Sequence, residues 1–420
     1  VCMWINYWAT VTTQMAAGPF LDIYIYQVSG SNRAVGTVES IRGLVQLLAA
    51  PLLGVLADRL DRHRLSRWQA LTRVLPMGLL ALAVARDARG LLCLAVALLA
   101  ISNHLGQTLR GALLADNLPE GGARMRGLSC NFSLLYLGQA TGPLLQLLVL
   151  AGLGAHGAWS VPELRATLLA GCAVFILAEP AAVLLLPVPP VSRAPGAGGC
   201  AAAGVEATEA RSWRLERVLR CCGRGNGLPK AWAIPCLAEA SFVVCLIGSG
   251  MSVKFFPLFF ARHFSFTPLQ LCVLGAAEPL GVALLSQLNP FITGHLGRAR
   301  AALLFMLLAP LLLVGMALLP SIWAVAPLFV MRTAAARAWI PILQAIVATC
   351  VPTEHRGKFA AMGAFRMSFF SASAFVGGWL ADAYGSYVPA FLLTAAWQVF
   401  PAAAVFLPVV AWLPRSADDE

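Results

Sequence analysis

Long apolar windows with few charges alternate along the 420 residues with short breaks rich in proline, glycine and arginine. A run of roughly 20 apolar residues is what an α-helix needs to cross about 30 Å of hydrocarbon. Six such windows fall at about 3–28, 34–56, 68–86, 91–117, 126–151 and 164–188. Six more fall at about 231–261, 267–292, 299–319, 322–350, 358–383 and 387–413. The pattern predicts an all-α polytopic membrane protein of twelve transmembrane helices. These form two six-helix bundles, 1–188 and 231–414, followed by a cytosolic tail at 415–420.

The segment between the bundles, 189–230, opens on Pro189, Pro190 and Pro195 and an Ala/Gly run, a composition that cannot bury a core of its own. It reads as a cytosolic linker, partly disordered. From Arg211 to Arg220 arginines alternate with Leu215, Val218 and Leu219. That spacing fits a basic amphipathic helix on the membrane surface and, equally, a solvated charged helix. The chain begins at Val1, so a short N-terminal piece is expected to precede it.

Composition excludes an ordinary soluble enzyme. The chain is 59% hydrophobic and 12% charged, against roughly 25% charged in soluble domains. Lipid is therefore the partner of much of the surface. Lys and Arg number 30 against 19 Asp and Glu, an excess that the positive-inside rule explains without a nucleic-acid partner. Arg33, Arg86, Arg89, Arg165 and Arg262 fall on one side, while the other loops and the linker collect the remaining loop charges. Both termini are therefore placed in the cytosol. The eleven cysteines, among them Cys93, Cys172, Cys245 and Cys272, are scattered with no ligand-type spacing. Walker, dinucleotide-binding and His-Glu-x-x-His patterns are absent. No enzymatic activity, cofactor or metal is expected.

The halves echo each other. Pro51 to Arg59 resembles Pro290 to Arg298, and at the same offset Glu39 falls opposite Glu278. The fourth span runs through Pro119 to Arg126 and Gly127 as the tenth runs through Pro352 to Arg356 and Gly357. Several matches in one order suggest a duplicated six-helix unit, a common transporter architecture.

The loop after the second span reads Gly54-Val-Leu-Ala-Asp58-Arg59-Leu-Asp61-Arg62-His63-Arg64. It resembles the signature loop of the major facilitator superfamily, with Gly54, Asp58, Arg59 and Arg62 matching and Asp61 in place of the second glycine. The resemblance implies that this loop latches the cytosolic gate, with Asp58 docking near Arg356 and Gly357. It also implies that spans one, four, seven and ten line a central cavity. In span five, Gly138, Gly142 and Pro143 resemble half of the family's antiporter motif. Helix bending and close packing are the preferred reading of that trio.

Ionisable residues within spans are functional candidates by default. In span four Asn103, Gln107 and Arg110 share one helical face, with His104 beside it. With Lys254, Arg332, Arg337, Trp339 and Arg366 they make up the candidate solute cavity. Glu278 is the first candidate for carrying a coupling proton, ahead of Glu239 and Asp22. A static ion pair, Glu278 with Arg337 or Arg332, or Glu39 with Arg42, is the competing reading of any one of them.

These features point to a secondary transporter of a small solute, an organic anion or zwitterion, working by alternating access with protons as the candidate coupling ion. An uncoupled uniporter and a drug/proton antiporter fit the same pattern. So does a non-transporting receptor or a structural subunit of a membrane assembly. If the signature loop latches the cytosolic face, Asp58→Ala should shift the population inward and slow flux in reconstituted vesicles. Unchanged flux at normal expression would remove the latch role.

Overall fold

The computed structural model describes residues 2–60, 62–117, 122–154, 157, 159–185, 230–351 and 356–413. The linker, apart from Lys230, and the tail lie outside these residues, as does Asp61 of the signature loop. Side chains at Gly54, Asp58, Arg59, Arg62, Arg356 and Gly357 also lie outside them.

The described chain is helical throughout, in twelve rods. In the first half these are α1 (Cys2–Ala17 and Pro19–Ser29), α2 (Asn32–Arg59), α3 (Arg62–Thr72 and Val74–Arg86), α4 (Arg89–Asn117), α5 (Gly122–Gly152) and α6 (Val161–Leu185). In the second they are α7 (Lys230–Val253 and Phe256–His263), α8 (Pro268–Leu296), α9 (Arg298–Leu318), α10 (Ile322–Cys350), α11 (Arg356–Tyr384) and α12 (Val388–Phe400, a π turn Pro401–Phe406, and Leu407–Trp412). Eight stretches of the described residues are long and apolar enough to cross a membrane. Where the described residues are continuous between rods, short turns join them. Gly30, at φ 71°, caps α1 in the left-handed region that glycine enters without strain, and Ser31 caps α2. A reciprocal capping box between Thr267 and Gln270 starts α8.

The breaks in α1 and α7 have a chemical origin. Pro19 has no N–H to donate to the carbonyl of Met15, four residues back, so that oxygen is left without its helical partner. Gln146, fully buried on α5, supplies the missing donor: its Nε2 lies 2.8 Å from Met15 O. The glycines of α5 let the helices come this close. A side chain at Gly138 would meet the Tyr7 carbonyl, and one at Gly142 would meet the Gln14 side chain. In α7 the chain turns at Lys254 and Phe255, just before Pro257, and resumes as a short helix. The first helix of each half therefore ends in a short offset segment, the kind of discontinuity that transporter folds place beside their sites.

The bundles meet most closely where α2 runs antiparallel to α11. A methyl at Gly36 would press on the Ala374 carbonyl and Phe375, and one at Gly378 on the Asn32 carbonyl, so backbone lies on backbone across the seam. The same end of the molecule, remote from the linker, carries a core that crosses both bundles. Phe20 and Tyr24 of α1 belong to it together with Phe255, Phe256, Phe259, Phe260 and Phe391 from the second half. Trp159 reinforces it by donating from Nε1 to Phe266 O at 2.7 Å across the halves. A second core, including Ile234, Phe242, Phe305, Trp339 and Phe406, stays within the C-terminal bundle. The apolar seal between bundles thus lies at the linker-distal end.

Gln146→Leu keeps the volume but leaves the Met15 carbonyl without a donor. It should destabilise the protein by about 1–3 kcal/mol, read as earlier unfolding in an SDS titration. Wild-type stability in that variant would show that water reaches the break.

Candidate functional site

At the linker-distal seam the bundles are tied by polar contacts. Asp382, at the end of α11, caps the N-terminus of α2. Its carboxylate accepts from Ser31 Oγ at 2.7 Å, Asn32 N at 2.9 Å, Asn32 Nδ2 at 2.7 Å and Arg33 N at 2.9 Å. A helix N-terminus favours an anion because its first N–H groups lack acceptors and its dipole is positive there. Tyr387 adds a bond from its hydroxyl to Asn32 Oδ1 at 2.9 Å.

Deeper in the seam lies a cluster of four charges. Lys254 Nζ of α7 reaches Glu39 Oε2 of α2 at 3.1 Å and Asp22 Oδ2 of α1 at 3.5 Å. Arg42 approaches Glu39 Oε2 at 3.5 Å, and Ser371 of α11 donates to Glu39 Oε1 at 2.9 Å. Two acids face two bases, so the cluster is neutral, but one lysine from the opposite bundle serves both acids. Lys254 lies at the break in α7 and reaches across the seam; 17% of its side chain remains accessible.

The other deep charges sort into sealed pairs and a partly open group. Arg73 of α3 and Glu179 of α6 form a pair buried within the N-terminal bundle, and Arg73 also donates to Asn103 Oδ1 and to Thr13 Oγ1. The Arg73 guanidinium stacks on Phe175, 4.7 Å from its centroid. In the C-terminal bundle Arg366 pairs with Glu239 and stacks on Phe242 at 4.4 Å. Glu278 of α8 meets Arg337 of α10 at 3.4 Å, and Arg337 also donates to Gln139 Oε1 of α5 at 3.2 Å. This last group stays reachable, with 30% of the Arg337 side chain and 24% of that of Glu278 accessible.

On α4 the polar face is divided. Asn103 is taken up by Arg73, while His104 Nδ1 lies 3.1 Å from Gln46 Nε2 of α2. Gln107 is exposed, and Arg110 has a buried Nε with no hydrogen-bond partner. Trp339 is placed in the C-terminal core, edge-on to Phe242 at 4.9 Å, instead of lining open space. Its indole is large and apolar, and helix packing consumes it. Gly138, Gly142 and Pro143 sit against α1 or inside an unbroken α5. The gate residues Gly54, Asp58, Arg59, Arg62, Arg356 and Gly357 have no described side-chain contacts.

Sequence reasoning missed the pairing of Arg73 with Glu179. It missed Asp382 as a cap and Ser371, Gln139 and Tyr136 as partners across the seam. Buried charges were visible as a class; which acid meets which base is fixed by tertiary packing.

Two helical bundles with charges at membrane depth, meeting along a polar seam, define an integral multi-pass protein built like a transporter. The Major Facilitator Superfamily model matches residues 3–377, and the chain belongs to that family. Solved structures share the fold at low identity. A POT family transporter in complex with 5-aminolevulinic acid superposes with a TM-score of 0.72 at 12% identity, covering 98% of this chain and 96% of that one. A bacterial homolog of the human lysosomal transporter Spinster, inward-facing and unoccupied, gives 0.66 at 14%, covering 99% and 96%. The nucleoside transporter NupG gives 0.67 at 15%, covering 98% and 99%. Among curated proteins none matches by sequence.

If the Arg73–Glu179 pair is structural, Arg73→Met should lose about 3–5 kcal/mol by stranding a buried carboxylate. Arg73→Met with Glu179→Met should recover most of it. Thermal unfolding of the two purified variants checks this, and equal loss in both would assign Arg73 a role apart from Glu179.

Proposed function

We propose that this chain is a secondary transporter that moves a small organic anion or zwitterion by alternating access, with proton movement at the seam between its bundles. The supporting observation is the Asp22–Glu39–Lys254 cluster. It joins the two halves by ionic contacts that separate if the halves rock apart, and it leaves two carboxylates behind when Lys254 withdraws. With only Arg42 as a base beside them on their own bundle, those two acids cannot both stay ionised in a desolvated place. One of them takes a proton, and reclosure on Lys254 expels it.

This geometry favours Asp22 over Glu278 and Glu239 for the coupling role. Glu239 is closed onto Arg366 within its own bundle, and Glu278 faces Arg337 on the same bundle. Neither exchange partner is removed by rocking the bundles apart. Asp22 alone among the three depends on a base from the other half.

The arginine distribution puts the linker and both termini in the cytosol. On that orientation the sealed, linker-distal end faces outward, and the protein is in an inward-facing form. Release of the Asp382 cap and of Lys254 would then accompany outward opening. The solute class is supported by an excess of bases: Arg337 shares Glu278 with Arg332, and Arg110 keeps a buried Nε without a partner. The POT relative's complex with 5-aminolevulinic acid, an amino acid, fits the same class of solute.

The test is uptake of a panel of labelled carboxylates and amino acids by reconstituted vesicles, with and without a pH gradient. Asp22→Asn should abolish gradient-driven accumulation while sparing exchange of solute across the membrane. Wild-type accumulation indifferent to the gradient would point to a uniporter, and no flux of any solute would point to a receptor or a structural subunit.

A further inference from the structure

Arg332 of α10 is 2% exposed, one of the most deeply buried large side chains of the molecule. Its Nε and Nη2 are sealed from solvent without a hydrogen-bond partner. The face of its guanidinium rests on the Phe256 ring, 4.9 Å from the centroid, which occupies the π face and leaves the N–H edges untouched. Nε and Nη2 share one edge of the guanidinium, the edge that grips a carboxylate through two parallel N–H bonds. A buried cation with that edge bare is costly unless an acid fills it at some stage of the working cycle.

The acid whose charge is felt at Arg332 is Glu278, and the charge of Arg337 opposes it there. Glu278 is engaged elsewhere, at 3.4 Å from Arg337 Nη2, a long contact for an ion pair. Two arginines therefore share one carboxylate, and the group carries one uncompensated positive charge. The two differ in access. Arg332 is sealed, whereas Arg337 is 30% accessible, donates to Gln139 of the opposite bundle, and lies 5.5 Å from the Tyr136 ring centroid.

We propose that Glu278 is a built-in competitor for an organic acid. The carboxylate of the acid binds Arg337 beside Gln139 and Tyr136, and Glu278 moves its ion pair to the bare edge of Arg332. Before the exchange one guanidinium lacks an anion; afterwards each has one. No bond is made or broken beyond hydrogen bonds and ion pairs, and no proton needs to move. Because Arg337 also touches α5, the exchange reports occupancy to the seam between bundles. This inference rests on the transporter reading and names the substrate group that its site would accept.

The experiment is a binding titration on the full chain in nanodiscs, read by thermal shift. It uses aliphatic and aromatic mono- and dicarboxylates, each paired with its uncharged amide. Acids, and not their amides, should stabilise the wild type, and Arg337→Gln should abolish the response. Glu278→Gln, which removes the competitor, should tighten binding at least threefold. Arg332→Gln should weaken it at least threefold when Glu278 is present and change it little in the Glu278→Gln background. That dependence separates exchange from a merely structural arginine, whose loss would weaken both backgrounds alike. Equal responses to acids and amides, no response to any acid, or weaker binding in Glu278→Gln would overturn the proposal. Vesicle flux is scored separately. Acid binding with the predicted variant pattern but no flux would leave the exchange site standing and sink the transport reading.

Discussion

An ionised side chain at hydrocarbon depth must be paired or wetted, and this single constraint organises the molecule. A charge at the centre of a bilayer costs at least about 2.5–3.5 kcal/mol even on the mildest scales. Apart from Arg332 and Arg110, which keep buried N–H groups without a partner, the described deep charges meet that demand in three ways. Arg73–Glu179 and Arg366–Glu239 are closed within single bundles and backed by the aromatic faces of Phe175 and Phe242. Lys254 is divided between two acids of the other bundle. Arg337 and Glu278 keep part of their surface open. The first arrangement ties helices within a bundle, the second ties one bundle to the other, and the third keeps an ion pair accessible.

The same logic extends to the backbone. In lipid a carbonyl without a donor is as exposed a liability as a charge, so a helix can break only where something else satisfies it. At Pro19 that partner is Gln146, and the glycines of α5 and Gly171 of α6 bring the surrounding helices within reach of α1. The break in α7 falls at Lys254, the residue that crosses to Asp22 and Glu39, so local backbone irregularity and the ionic seam coincide.

The architecture was legible because it is written in composition and period. Windows of apolar residues long enough to span a bilayer need no partner to be recognised, and their number and the proline-rich interval between sixes gave the two-bundle plan. The inventory of buried charges was legible too, because an Asp or Arg inside such a window stands out. Their pairing was not. Arg73 and Glu179 are 106 residues apart, and Asn32 and Asp382 are 350 apart. No periodicity links residues across such distances. Trp339 illustrates the opposite failure: an aromatic next to arginines looks like a binding residue, yet helix packing claimed it. Gln146, a lone amide among the leucines that follow Pro143, is the donor that makes the break in α1 tolerable.

The mixture of contacts at the linker-distal seam also bears on how it can open. Inverting a two-state population from 1:99 to 99:1 takes about 5.5 kcal/mol of differential free energy, so a seam that held the bundles much more firmly could not be driven by binding one small solute. The contacts recorded there suit that limit. In lipid, apolar packing between helices gains little over packing with acyl chains, so the phenylalanine cluster closes the end without locking it. Asp382 holds backbone N–H groups at a helix start, where water entering from the aqueous side replaces it at the cost of a cap, about 1 kcal/mol. Ser40 and Ser371 likewise give up bonds that water can remake. Lys254 is the exception, since no water dipole substitutes fully for its charge between two acids. A proton on one of those acids would remove half of the attraction, and on the proposed transport reading that makes the protonation state of the cluster the control on a seam whose other contacts are interchangeable with water.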